Sequence, residues 1–235
     1  MRGPALDLKT TIVDRMDAKA PFGVWTPSDF LNAGPRDAVD QALHRLARSG
    51  QVRRITRGLY DRPRQNSLTR QPNVPDPRAV IEALGRRDNA RMLVDGVTAA
   101  NDLGLSDAVP SKVVVHTDAR LTPVDLGPLH IVFRKTAPSK LYWADRPAMR
   151  VVQALHWLKD QIPANRSQLR KRLSRILDDP THGDAIIADL DKGLPNMPTW
   201  MQDFVRQLLR DNDHRPDGVA DARRAPAAPE TQARP

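Results

Sequence analysis

A chain of 235 residues with 37 Lys and Arg against 28 Asp and Glu, a formal net charge of +9 and an isoelectric point near 10.4 is drawn to polyanions, nucleic acid foremost, and is long enough for two modest cores. The absence of cysteine excludes disulfides, thiolate zinc sites and a cysteine nucleophile, and fits a reducing compartment. There is no run of 18 apolar residues and the charged start has no signal-peptide core, so the expectation is a cytoplasmic protein with no membrane span.

From residue 6 to residue 18, Leu8, Ile12, Val13 and Met16 recur at helical spacing while Lys9, Asp14 and Arg15 fall on other faces, which predicts a first helix. Thr26 is placed to cap a short second helix over residues 27–32, with Pro27 suited to its first turn and Asp29 to its positive end. Asn32-Ala33-Gly34 then turns the chain into a third helix over residues 35–49, opened by Pro35 and stopped at Gly50. Two helices joined by a tight glycine turn are helix-turn-helix geometry. Residues 51–55 and 59–61 read as two short strands around Thr56-Arg57-Gly58, a basic hairpin that would serve as the wing.

From residue 62 to residue 76 the composition shifts to Pro, Asn, Gln, Ser and Arg, which predicts a linker. Beyond it the pattern predicts a helix over 77–87, a strand over 91–94, a helix over 98–103 and strands over 112–117 and 129–135. After Pro147 the apolar spacing becomes helical through Leu155, Leu173, Leu190 and Phe204, as in a small helical bundle. From residue 211 onward there is little to bury, so disorder is expected. The predicted fold class is α+β: a winged helix-turn-helix over residues 1–64, a linker over 65–76, a mixed α/β domain ending in a helical bundle over 77–210, and a tail over 211–235.

Centring the inward face of the third helix on Val39, at about 100° per residue, places Ala42, Leu43 and Leu46 beside it. The opposite face then carries Asp37, Gln41, His44 and Arg48, with Arg45 at its edge and Arg36 in the first turn. Such a face has the chemistry to read base edges in a major groove, Arg to guanine and Gln to adenine. Arg53, Arg54 and Arg57 on the hairpin, and Arg62 and Arg64 just after it, are candidates for the flanking phosphates, where a guanidinium makes bidentate contacts. Basic residues outside an amphipathic helix are also what any solvated face presents. The more specific signal is the order helix, helix, glycine turn, helix, basic hairpin, which predicts binding to double-stranded DNA; a single-strand reader would need more exposed aromatic residues.

Enzymatic chemistry finds little footing. The six histidines, His44, His116, His130, His156, His182 and His214, include no H-x-x-x-H pair, and no nucleophile elbow, phosphate loop or dinucleotide fingerprint occurs. A DNA-targeted nuclease remains an alternative, but Phe133 stands where an acid-x-Lys arrangement ending at Lys135 would need a carboxylate for Mg²⁺. The expectation is a protein with no catalytic residues, no metal and no cofactor. In the later helical part, residues 166–177 carry Arg166, Arg170, Lys171, Arg172 and Arg175; with Leu169, Leu173 and Ile176 turned inward, Lys171 and Arg175 point outward as a candidate partner surface, or as a solvated face.

The run Ala38-Val39-Asp40-Gln41-Ala42-Leu43-His44-Arg45-Leu46, followed by Gly50, Arg54-Ile55 and Arg57-Gly58-Leu59-Tyr60-Asp61-Arg62-Pro63, resembles the N-terminal winged helix of AbiEi-type antitoxins and their DUF6088 relatives. The similarity continues faintly to Leu194-Pro195 and Trp200-Met201. The resemblance implies a cytoplasmic antitoxin that represses its own promoter through the N-terminal domain and opposes a nucleotidyltransferase-type toxin. The alternative reading is a stand-alone winged-helix transcription factor.

Overall fold

Helix α1 (Leu8–Ala18) begins the computed structural model, which describes residues 7–18, 23–108 and 110–213. Its Ile12 and Met16 are fully buried. After β1 (Val24–Trp25), residues Pro27–Phe30 form a single 3₁₀ turn. The Thr26 backbone N–H donates to Asp29 Oδ2 at 2.7 Å and the Thr26 hydroxyl to the same oxygen at 3.1 Å, so Asp29 anchors the residue from which the turn starts. The second helix expected over residues 27–32 is therefore shorter than predicted and wound as 3₁₀, the winding suited to a segment of about one turn.

Helix α2 (Arg36–Arg48) follows, with Val39, Ala42, Leu43 and Leu46 buried as its period requires. It ends where Gly50 takes the left-handed conformation at φ +72°, which a Cβ would strain. Strands β2 (Arg53–Thr56) and β3 (Leu59–Asp61) pair antiparallel with Arg53 opposite Asp61 and Arg54 opposite Tyr60. Strand β1 pairs with the other edge of β3, giving the order β1-β3-β2. Ile12, Met16, Phe30, Val39, Leu43, Leu46, Val52 and Tyr60 form one apolar core under α1, α2 and this sheet. Strand β1 was not predicted, because two residues are too few to show an alternation.

The stretch expected to be a linker is a hydrogen-bonded loop, closed by an antiparallel bridge between Gln65 and Pro72. Helix α3 (Pro77–Asp88) is capped by Asp76, whose carboxylate accepts the Arg78 backbone N–H at 3.0 Å, and closes on Asn89 in the left-handed region. A second sheet has the order β4-β5-β7-β6, formed by β4 (Met92–Val94), β5 (Lys112–Thr117), β6 (Val124–Asp125) and β7 (His130–Lys135). Strands β5 and β7 are parallel, with Lys112 opposite His130 through Thr117 opposite Lys135, and the other pairs are antiparallel. Helices α4 (Gly96–Asp102) and α5 (Met149–Leu158) pack so closely that a Cβ on Gly96 would lie 2.6 Å from Trp157 Cβ and 2.7 Å from the Gln153 carbonyl.

The chain divides into two compact units at Leu158 and Lys159, away from the boundary expected over residues 65–76. The physical reason is that α3 docks back onto the N-terminal sheet: the Arg86 guanidinium donates to the Val24 carbonyl at 3.2 Å and that of Arg87 to the Arg57 carbonyl at 2.6 Å. The second unit holds α6 (Ile162–Leu177), kinked at Asn165, then α7 (Gly183–Gly193) and α8 (Thr199–Asp213). Leu173, Leu177, Leu190, Met201, Phe204, Val205 and Leu208 are buried. The fold class is α+β. Helix α8 runs past the expected end at residue 210, and the rest of the predicted tail, from residue 214, lies outside the described residues. Among the described residues no helix is long and apolar enough to cross a membrane.

Candidate nucleic-acid interface

The strongest candidate surface is the outer face of α2. Its direction is fixed by the apolar stripe beneath, because burying Val39, Ala42, Leu43 and Leu46 leaves Asp37, Gln41, His44, Arg45 and Arg48 in solvent. Asp37 stands in the first turn and Arg45 and Arg48 in the last, each complementing the helix dipole. None of the side chains of Gln41, His44, Arg45 and Arg48 makes a hydrogen bond or ion pair among the described residues. Arg36 differs: its guanidinium donates to Asp40 at 2.9 Å, one turn along the same helix, and both side chains remain exposed.

The hairpin distributes its arginines unequally. Strand pairing sets Arg53 across from Asp61, and the guanidinium grips that carboxylate with both a 2.9 Å bond from Nε to Oδ1 and a second bond from Nη2 to Oδ2. The Asp61 side chain is only 3% exposed, so Arg53 is the counter-ion of a buried carboxylate and is not available to a phosphate. Arg62 is likewise engaged, donating to Asp17 at 2.5 Å and to the Gln51 carbonyl at 3.0 Å, which ties the end of the hairpin to α1 and to the exit from α2. Both positions were predicted phosphate contacts, and in the structure each is engaged within the fold. Arg54, Arg57 and Arg64 face solvent with no ion pair among the described residues.

Arg57 sits in the turn with Gly58, whose φ of +72° closes the hairpin. Its side chain is exposed while its carbonyl is held by Arg87 of α3. Arg36, Thr56, Arg57 and Gly58 also line a cleft of about 380 Å³ with Arg87 and Thr122. The bond between Arg87 and the hairpin tip was not foreseeable, because 30 residues separate the partners and no local pattern links them.

In the second unit, Lys171 and Arg175 are exposed and unpaired among the described residues, as predicted for the outer face of α6. Leu177 takes the fully buried place expected of Ile176, which is half-buried. Arg166 and Arg170 turn toward α8 instead: Arg166 donates to Gln207 at 2.8 Å, with its guanidinium 5.3 Å from the centre of the Phe204 ring, and Arg170 pairs with Asp211.

No curated protein and no solved structure matches the chain. The profile of a family of unknown function, DUF6088, matches residues 11–180, spanning the α2 face, the hairpin, the four-stranded sheet and the basic helix α6, and the chain belongs to that family.

Proposed function

We propose that the protein binds double-stranded DNA through a winged helix-turn-helix, with α2 as the recognition helix and the β2–β3 hairpin as the wing. The observation that carries this reading is the outer face of α2, where an amide, an imidazole and two guanidinium groups stand in solvent without partners among the described residues, beside the exposed Arg54 and Arg57. Gln41 and Arg48 meet base edges in the major groove, and Arg54, Arg57 and Arg64 meet the flanking phosphates. The order helix, strand, short helix, helix, hairpin, with β1 completing a three-stranded sheet, supports the same assignment.

The bound duplex is its own promoter, and the protein is the antitoxin of a pair whose toxin is of the nucleotidyltransferase class. This part rests on the resemblance of residues 38–63 to AbiEi-type antitoxins; Lys171 and Arg175 are the surface offered to the toxin. A mobility-shift titration of the full chain with its upstream duplex tests the first part. Binding that weakens steeply with salt is expected, and no shift at low salt overturns it. Co-expression with a neighbouring nucleotidyltransferase gene tests the second: the chain rescues growth, and no rescue leaves a transcription factor alone.

A further inference from the structure

We propose that the loop closed by Gln65 and Pro72 is a second DNA-contacting element, which enters the minor groove beside the α2 site with Leu68 at its tip. The inference rests on the DNA-binding reading of α2 and adds to it a second groove and a second mode of recognition.

Between Asp61 and Asp76 the chain has no acidic residue; it carries Arg62, Arg64 and Arg70 together with Gln65, Asn66, Gln71 and Asn73. Such a stretch has too little apolar surface to fold by burial, yet it is held in one shape. Asn66 is the organiser: its side-chain oxygen accepts the backbone N–H groups of Leu68 at 2.9 Å and Thr69 at 3.1 Å, while its carbonyl accepts that of Arg70 at 2.9 Å. The Asn66 N–H donates to the Gln71 carbonyl at 2.8 Å, and the Asn73 N–H to the Arg64 carbonyl at 2.9 Å. Arg70 turns the chain back at φ +55°.

With the N–H groups of Leu68, Thr69 and Arg70 engaged inside the loop, the large apolar group displayed outward is the Leu68 side chain, 91% exposed. A single exposed leucine is ordinary on a protein surface. This one is different in being mounted at the tip of a pre-shaped, acid-free loop between Arg64 and Arg70. Cations with amides around an apolar wedge are the equipment of minor-groove binders, in which Arg, Asn and Gln follow the groove and a Leu or similar residue presses between base steps. An acidic protein would suit the arginines but gives no role to an isolated apolar tip.

The placement agrees. Arg62 at the base of the loop is bonded to the Gln51 carbonyl, so the loop starts beside the C-terminal end of α2. A loop rooted at the end of a helix lying in the major groove stands beside the phosphates that border the next minor groove, where Leu68 would insert.

The test uses the full chain and its upstream duplex, with 2-aminopurine placed at successive steps as a reporter of unstacking and distamycin as a minor-groove competitor. The wild type is expected to raise the fluorescence at one step flanking the α2 footprint and to lose affinity when distamycin is present. Leu68→Ala abolishes that signal and binds about tenfold more weakly, while its melting temperature is unchanged because the side chain packs on nothing. Arg64→Ala and Arg70→Ala each lower the salt slope by about one. If the wild type binds but gives no unstacking, or if Leu68→Ala keeps the signal and the affinity, the loop proposal falls and the reading of α2 stands. If the wild type does not bind the duplex at all, both fall.

Discussion

The outer face of α2 and the β2–β3 hairpin look alike in composition, since each offers arginines on a short amphipathic element, yet they differ in which charges are free. On α2 the residues three and four positions from Arg45 are Gln41, Ala42, Arg48 and Ser49, and those preceding Arg48 are His44 and Arg45, so neither guanidinium meets a carboxylate along the helix. Arg36 does have Asp40 at that spacing and pairs with it. On the hairpin the relevant neighbour lies across the ladder, and Arg53 faces Asp61. Availability for a phosphate is thus decided by the period of the element that carries the arginine, 3.6 for a helix and cross-strand pairing for a sheet, and not by the density of positive charge.

The comparison breaks first at Arg53. Removing its guanidinium strands the Asp61 carboxylate at 3% exposure, so Arg53→Ala is expected to cost about 3 kcal/mol of stability, the low end for a buried pair because Arg53 itself reaches solvent. Denaturant melts of the full chain measure this, and Asp61→Asn in the same chain should recover part of the loss. A variant as stable as the wild type, with weakened DNA binding instead, would return Arg53 to the interface.

Much of this was legible in the sequence because it is local. The apolar stripe through Val39, Leu43 and Leu46 fixed the outer face of α2, and Thr26 followed by Pro27 marked the start of the short helix. What escaped depends on pairings between distant residues. Asp61 and Arg53 are eight apart, and reading their pairing requires the hairpin register, which is shifted by an irregularity between Arg54 and Thr56. Arg62 meets Asp17 across 45 residues, and Arg86 meets the Val24 carbonyl across 62. The proline-rich stretch misled for a related reason: composition marks it as unable to build a core, but Asn66 and one bridge shape it without one.

On the α2 side of the comparison, Arg48→Ala and Gln41→Ala should leave the melting temperature in place and lower discrimination between the promoter and an unrelated duplex, by about 1 to 3 kcal/mol for each bidentate pairing with a base that the truncation removes. Arg57→Ala should weaken both duplexes equally, with a shallower salt dependence. Competition binding against the two duplexes separates the outcomes. Equal loss of discrimination in all three variants would erase the distinction drawn between the helix and the hairpin.

Arg62 provides a smaller and intermediate case. Its partner Asp17 is 43% exposed, so water screens the pair, and Arg62→Ala is expected to cost less than about 1 kcal/mol in thermal or denaturant melts, with promoter preference unchanged. A loss as large as that of Arg53→Ala would mean that the tie to the Gln51 carbonyl, and not the ion pair, holds the end of the hairpin against the core.

The smallest effect on the free protein is expected at Arg45, where two opposing influences nearly cancel. Arg45 and Arg48 lie three apart on one helix with no acid between their heads, and like charges at that spacing destabilise a helix by about 0.2 to 0.5 kcal/mol. The helix dipole favours cations near this end by about 0.3 to 1 kcal/mol, which matches or exceeds that cost. Arg45→Gln should therefore change the stability of the free chain by no more than a few tenths of a kcal/mol at low salt, while binding to the promoter duplex weakens because the guanidinium no longer meets a phosphate or a base. A guanidinium that the free fold barely needs but DNA binding does belongs to the recognition surface. If Arg45→Gln instead destabilised the free protein and left DNA binding untouched, Arg45 would be serving the helix, and the recognition surface would narrow to Gln41, His44 and Arg48.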